Sequence, residues 1–151
     1  MELTNPINIS VSIIIVNYRT PSLTLACIDS IYAHTKGIDF EVIVVDNHSE
    51  DDSVERLSKD NRIILIESLR NGGFGYGNNL GMRVAHGKYF FLLNSDTLLV
   101  NNAIKEFYDY AESYEPKTLY GCYLIGDDGT YRGSFHYFPA LTIGAFFRRL
   151  F

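Results

Sequence analysis

Two carboxylates stand where short apolar runs break off. Asp46 follows EVIVV (Glu41 to Val45), and Asp96 follows YFFLL (Tyr89 to Leu93) after Asn94 and Ser95. In an open parallel sheet, ligands collect beyond the carboxyl ends of the strands, where loops and helix N-termini converge. Asn17-Tyr18-Arg19, Asp46-Asn47 and Asn94-Ser95-Asp96 would all lie there. A hard divalent cation takes carboxylate and phosphate oxygens, and Mg²⁺ commonly uses one or two protein carboxylates plus substrate phosphates. Asp96 suits that role. A carboxylate about 4 Å from a phosphate charge is repelled by roughly 4 kcal/mol at an effective dielectric near 20. A carboxylate beside a diphosphate therefore predicts an intervening Mg²⁺ or Mn²⁺.

Four glycines crowd NGGFGYGNN, Asn71 to Asn79. Glycine allows positive φ and close backbone approach, which suits a loop lying against a ligand. The spacing is no dinucleotide fingerprint, because Asn78 and Leu80 stand where a third glycine would be needed. Gly87-Lys88 lacks the upstream glycine of a phosphate loop, and no GxSxG supports a nucleophilic triad. Each candidate also has a plain structural reading. Asp46 competes with Asn47, Ser49 and Asp51 to cap the next helix, Asp96 is an ordinary turn residue, and Tyr18 could simply pack. His34, His48, His86 and His136 show no metal-ligand spacing.

The elements that would position these groups can be traced along the chain. VSIIIV (Val11 to Val16), EVIVV, IILI (Ile63 to Ile66) and YFFLL read as strands covered on both faces. Thr20-Pro21 predicts a capped helix start, with Leu23, Cys27 and Ile31 inward, ending at Lys36-Gly37. Val54 and Leu57 mark a short second helix, Asn78 to Ala85 a third, and Asn102 to Ser113 a fourth with Ile104, Phe107, Tyr108 and Ala111 on one face. Strand and helix in alternation predict a mainly parallel sheet in a three-layer α/β architecture. Beyond Pro116, Leu119 to Ile125 and Tyr131 to Phe135 flank Asp127-Asp128-Gly129, a hairpin signal.

At 151 residues and 46% hydrophobic content, one core burying roughly 70% of the unfolded surface is expected. The net charge of −5 argues against a nucleic-acid partner. Cys27 and Cys122 match no metal or redox spacing and read as packed thiols of a reducing compartment. No apolar run approaches the roughly 20 residues of a membrane span, so a cytoplasmic location is expected. FFRRLF, Phe146 to Phe151, has the apolar and basic texture of a segment resting on a membrane surface, here its inner face.

VSIIIVNYRT, VIVVDNHSED, NGGFGYGNNLGMRVAHGKY and FFLLNSDT, in this order and spacing, resemble the inverting family-2 nucleotide-sugar glycosyltransferases of the A-type fold. NGGFGYGNN followed by NSDT looks closest to the bacterial rhamnosyltransferase-like branch. The resemblance implies a donor site for a nucleotide-diphospho-sugar, dTDP-rhamnose or a UDP-sugar, and a cell-surface polysaccharide or lipid-linked acceptor. By the same resemblance Tyr18 stacks on the nucleobase and Asp46 accepts a hydrogen bond from the base or ribose. Asn71, Gly73 and Asn78 border the nucleotide. Asn94 occupies the first position of the family's Asp-x-Asp motif, and Asp96 the last, which binds the metal.

The likeness divides the chain into a tail (1–10), a donor-binding domain (11–138) and the start of a further segment (139–151). The family's general base for the acceptor hydroxyl is expected beyond residue 151, which makes this chain resemble the first half of an enzyme, inactive alone. A catalytically silent nucleotide-sugar module or assembly partner is the alternative. An unrelated α/β nucleotide-binding protein using Asp46 for a ribose is a third.

Overall fold

The computed structural model describes residues 9–113, 120–121, 124–126 and 128–132. Expectations for residues 1–8, Cys122, His136 and 139–151 lie outside them. The chain divides into two compact units, Met1–Tyr114 and Glu115–Phe151.

The first unit alternates strand and helix: β1 (Val11–Asn17), α1 (Pro21–His34), β2 (Phe40–Asp46), α2 (Ser53–Leu57), β3 (Ile63–Glu67), α3 (Gly73–Val84), β4 (Tyr89–Asn94) and α4 (Ala103–Glu112). All four strands run parallel, in the order β3-β2-β1-β4. The chain moves outward from β1 to β2 and β3, then returns to β1's other side, so the order reverses between β1 and β4. That reversal opens the crevice in which doubly wound sheets bind ligands.

Alternation along the strands assigns the layers. Ile13, Ile15, Val42, Val44 and Leu93 face α1, α2 and α4, where they meet Cys27, Ile28, Ile31, Leu57 and Ile104. Ile14, Ile43 and Val45 face the opposite way, toward Leu80 and Met82 of α3 and Ala85 just after it. Each fully buried Ile or Leu contributes roughly 1.5–3 kcal/mol by leaving water. Aromatic edges add to the first layer: Phe91 meets Phe107 at 5.4 Å and Tyr89 meets Tyr108 at 5.8 Å between ring centroids.

Three local expectations are corrected. On α1 the inward stripe is Thr24, Cys27, Ile28 and Ile31, while Leu23 is half exposed. Thr20 precedes the helix but makes no side-chain cap; its hydroxyl turns toward Asn17 and Ser95 instead. The third helix begins at Gly73 rather than Asn78, so most of the glycine-rich stretch is helix, not loop. Packing overrides glycine's poor helix propensity here. A Cβ on Gly77 would lie 2.8 Å from Val16 Cγ1, and one on Gly81 only 2.5 Å from Ile14 Cγ2. These glycines let α3 lie directly on β1.

In the second unit, β5 (Leu124–Ile125) and β6 (Tyr131–Arg132) pair antiparallel. Gly129 takes φ 73° in the connecting turn, and its N–H donates to the Gly126 carbonyl. The outer parts of the expected hairpin strands lie outside the described residues.

Candidate donor site

Register places the site residues. Asn17 pairs with Asp46 at the ends of β1 and β2, and Val16 pairs with Asn94 of β4. Asp46 and Asn94 therefore end the two strands that flank β1, roughly 10 Å apart at a strand spacing near 4.8 Å. Asp96 follows within a turn closed by the Thr97 N–H donating to the Asn94 carbonyl, at 3.1 Å. Both acids thus lie at one end of the sheet, on either side of the crevice.

Asp46 is only 2% exposed, and its carboxylate is engaged inside the protein. Oδ1 accepts from Asn17 Nδ2 at 2.7 Å and from the Ser49 hydroxyl, and Oδ2 accepts from the Ser49 N–H at 3.0 Å. The bond to the N–H three residues on shapes the β2–α2 loop, much as the capping alternative anticipates, although α2 begins only at Ser53. Ser49 in turn reaches the β1–α1 loop. Its hydroxyl accepts from the Arg19 N–H at 3.0 Å, and its carbonyl accepts from Arg19 Nε at 2.8 Å. These contacts hold strained backbone: Arg19, His48 and Glu50 all adopt left-handed φ, at 58°, 64° and 57°. Such angles are rare for residues with a Cβ and persist where the surroundings over-determine them. Arg19 also pairs with Glu50 at 3.5 Å and covers the half-exposed Tyr18 ring, its Cζ 5.1 Å from the centroid.

Asn47 ties the β2–α2 loop to the start of α3. Its Nδ2 donates to Asn71 Oδ1 at 2.8 Å, its Oδ1 accepts from the Gly72 N–H at 3.2 Å, and the Gly73 N–H donates to Asn71 Oδ1 at 3.0 Å. Gly73 has φ 81° and open space where a Cβ would be, at the exposed mouth of α3. Asn78 is buried one turn further in. Its Nδ2 donates to the Phe74 carbonyl at 3.0 Å, and its Oδ1 has no hydrogen-bond partner among the described residues.

On the far side of β1, Asn94 and Asp96 are exposed. Cys27 lies beneath, its thiol 3.7 Å from the Asn94 carbonyl. Burial, and then the charge of Asp96, push the Cys27 thiol up to about 12. It stays protonated, and a protonated thiol is not a metal ligand. Among the described residues no three His, Cys, Asp or Glu side chains gather around a cation position. A lone exposed carboxylate cannot cage a cation, but it fits Mg²⁺ or Mn²⁺ arriving with phosphate oxygens of its own.

The model for glycosyl transferase family 2 matches residues 12–151. The chain belongs to this family. Among curated relatives, this family-2 chain is 26% identical to glycosyltransferase GlyG of Streptococcus pneumoniae over 132 residues, which is 85% of the chain and 43% of GlyG. It is 31% identical over 138 residues to WfaP of Escherichia coli, covering 89% of the chain and 54% of WfaP. WfaP is named a UDP-Glc:alpha-D-GlcNAc-diphosphoundecaprenol beta-1,3-glucosyltransferase. The chain thus spans about half the length of these relatives. Solved structures share the fold. Staphylococcus aureus TarS 1-349 in complex with UDP-GlcNAc superposes with a TM-score of 0.60 at 24% identity, over 70% of the chain and 32% of TarS 1-349. Mannosyltransferase PcManGT of Pyrobaculum calidifontis, in complex with GDP-Man and Mn²⁺, gives 0.57 at 24% identity over 63% of the chain and 30% of PcManGT. The A-type, three-layer parallel fold expected for the family-2 chain is therefore the one it adopts.

The sequence places Asn17, Arg19 and Asn47 on the ligand side of the strands and Ser49 among the possible helix caps without giving any of them a site role, yet they connect the residues that have one. The available signal was position: each sits at or just past a strand end on the ligand side. No helix among the described residues is long and apolar enough to cross a membrane.

Proposed function

We propose that this chain carries the donor site of an inverting, metal-assisted glycosyltransferase that uses a nucleotide-diphospho-sugar. The observation behind this reading is the placement of Asp46 and Asp96 on opposite flanks of β1, at the reversal in strand order. The strand ends at Asp46 and Asn94, roughly 10 Å apart, leave a gap that suits a ligand with a nucleoside at one end and a pyrophosphate at the other.

In this reading residues 11–138 form the donor domain. Tyr18 offers a half-exposed ring for the nucleobase, backed by Arg19. Asp46 builds the nucleoside wall from within, fixing Ser49 and Arg19, and reaches the base or ribose directly once the Ser49 hydroxyl yields its place on Oδ1. Asn71, Gly73 and Asn78 border the nucleotide, with the free Oδ1 of Asn78 as an acceptor. Asp96, beside Asn94, holds the cation against the pyrophosphate. When bound, that cation supplies positive charge to the leaving nucleoside diphosphate as its negative charge grows. The base that deprotonates the acceptor hydroxyl comes from outside residues 11–138.

The names of WfaP and of the TarS complex favour a UDP-sugar over dTDP-rhamnose, and WfaP's name favours a lipid-linked saccharide acceptor. Reaching such an acceptor places the protein in the cytoplasm against the membrane's inner face. Calorimetric titration with UDP, dTDP, GDP and ADP, with Mn²⁺ and with chelator, tests the proposal. Saturable, cation-dependent binding of UDP or dTDP supports it; equal binding of all four, or none, overturns it.

A further inference from the structure

Asn17 ends the central strand of the sheet and is fully buried. A buried primary amide is tolerated when both its ends are paired, and here they are. Its Nδ2 donates to Asp46 Oδ1 at 2.7 Å and to Ser49 Oγ at 3.2 Å. Its Oδ1 accepts from Thr24 Oγ1 at 2.8 Å and lies 3.4 Å from Thr20 Oγ1. Thr20 Oγ1 is in turn 3.4 Å from Ser95 Oγ, the neighbour of Asp96. One side chain is therefore the junction between the β2–α2 loop carrying Ser49, the β1–α1 loop carrying Tyr18 and Arg19 and, through Thr20, the turn carrying Ser95 and Asp96.

We propose that Asn17 is a positioning residue that sets the spacing between the nucleoside wall and the cation-phosphate wall of the donor site. The inference rests on the nucleotide-diphospho-sugar reading above. Asn17 acts through Ser49 and Thr20, and touches neither ligand nor metal. The residue type matters. A carboxylate at this position would face Asp46 with like charge in a buried site, and a hydrocarbon would leave Asp46, Ser49 and Thr24 short of partners. Only a side chain with a donor at one end and an acceptor at the other serves an acid on β2 and hydroxyls on α1 together. The strained Arg19 backbone depends on the same junction, since Ser49 Oγ holds the Arg19 N–H.

A spacing role has a distinctive signature. Ligands that occupy one wall are indifferent to the distance between walls, whereas a ligand that spans both is not. The Asn17→Ala and Thr20→Val variants are titrated with uridine, with Mn²⁺-pyrophosphate and with UDP in the presence of Mn²⁺, and in parallel with thymidine and dTDP. Thr20→Val removes the two long joints of the Thr20 hydroxyl, to Asn17 and to Ser95, and leaves Asn17 paired to Thr24, so it decides the question if Asn17→Ala does not fold. The expected result for Asn17→Ala is about a tenfold or greater loss of affinity for the nucleoside diphosphate, with uridine and pyrophosphate within about twofold of wild type. For Thr20→Val the same pattern is expected at about threefold. Wild-type affinity for UDP and dTDP in both variants, or a loss for the fragments as large as for the whole ligand, overturns the inference. Failure of the wild-type protein to bind either nucleotide with Mn²⁺ overturns the donor-site reading itself, and this inference with it.

Discussion

Gly81 rides over Ile14 so closely that a methyl group at its Cα would sit 2.5 Å from Ile14 Cγ2, and Gly77 stands in the same relation to Val16. The contact brings the mouth of α3 to the carboxyl end of β1. Gly77→Ala and Gly81→Ala are expected to destabilise the fold by about 1–3 kcal/mol each through overpacking. Gly75→Ala meets nothing within 4 Å, and as a helical residue it should gain up to about 1 kcal/mol. Urea unfolding of the three variants checks the contrast.

The two acids should separate by their effect on stability. Asp46→Ala leaves Asn17 Nδ2 and the Ser49 N–H without their buried acceptor, at an expected cost of about 1–3 kcal/mol. Asp96→Asn changes an exposed side chain and should stay within about 0.5 kcal/mol of wild type. Chemical denaturation midpoints measure both.

That difference marks where sequence reasoning reached its end. Unbroken apolar runs such as VSIIIV are legible because a strand buried on both faces has no polar side to show, so the sheet and its three layers could be read directly. The α3 start was missed because glycine is a poor helix former in isolation, and only the helix–sheet contact at Val16 and Ile14 makes it necessary. Leu23 reads as inward from its four-residue spacing to Cys27 and Ile31, whereas the structure turns Thr24 inward to serve Asn17. Asp46 and Asp96 look alike as residues after strands. Their different surroundings depend on Asn17 and Ser49, which lie 29 residues before and three after Asp46.

At the amino end of the sheet, Glu41 accepts from Ser12 Oγ and from the His86 N–H, both at 2.6 Å, and Ser12 Oγ accepts from the Gly87 N–H at 2.8 Å. Burial pushes the Glu41 carboxyl up, but the hydrogen bonds from Ser12 and His86 outweigh it and hold it below its usual value. A folded-state value below the unfolded one gives stability that is present above the ordinary carboxylate range and lost as pH falls through the lowered one. Glu41→Gln should therefore lose stability at neutral pH, by about 1–3 kcal/mol, and show a shallower loss between pH 5 and pH 3. Thermal melts across that range test it.

The Cys27 thiol, pushed up to about 12, should resist alkylation in the native protein at pH 8.5 and react once urea unfolds the chain. Because burial raises the folded thiol above its ordinary value of 9.0, its contribution to stability is intact below pH 9 and declines as pH rises toward about 12. Peptide mapping of the Cys27 adduct after brief iodoacetamide exposure reports the protection. Rapid native labelling would contradict the packing of Cys27 beneath the β4 turn.

The central claim is that Asp96 holds a divalent cation against the pyrophosphate of a bound nucleotide. Calorimetric titration of UDP into wild-type and Asp96→Asn protein, each with Mn²⁺ and with chelator, addresses it most directly. The account predicts that Mn²⁺ strengthens UDP binding to the wild type by about tenfold or more, that Asp96→Asn abolishes this gain, and that weak cation-independent binding survives in both. An undiminished Mn²⁺ gain in Asp96→Asn, or a wild type indifferent to Mn²⁺, would contradict it.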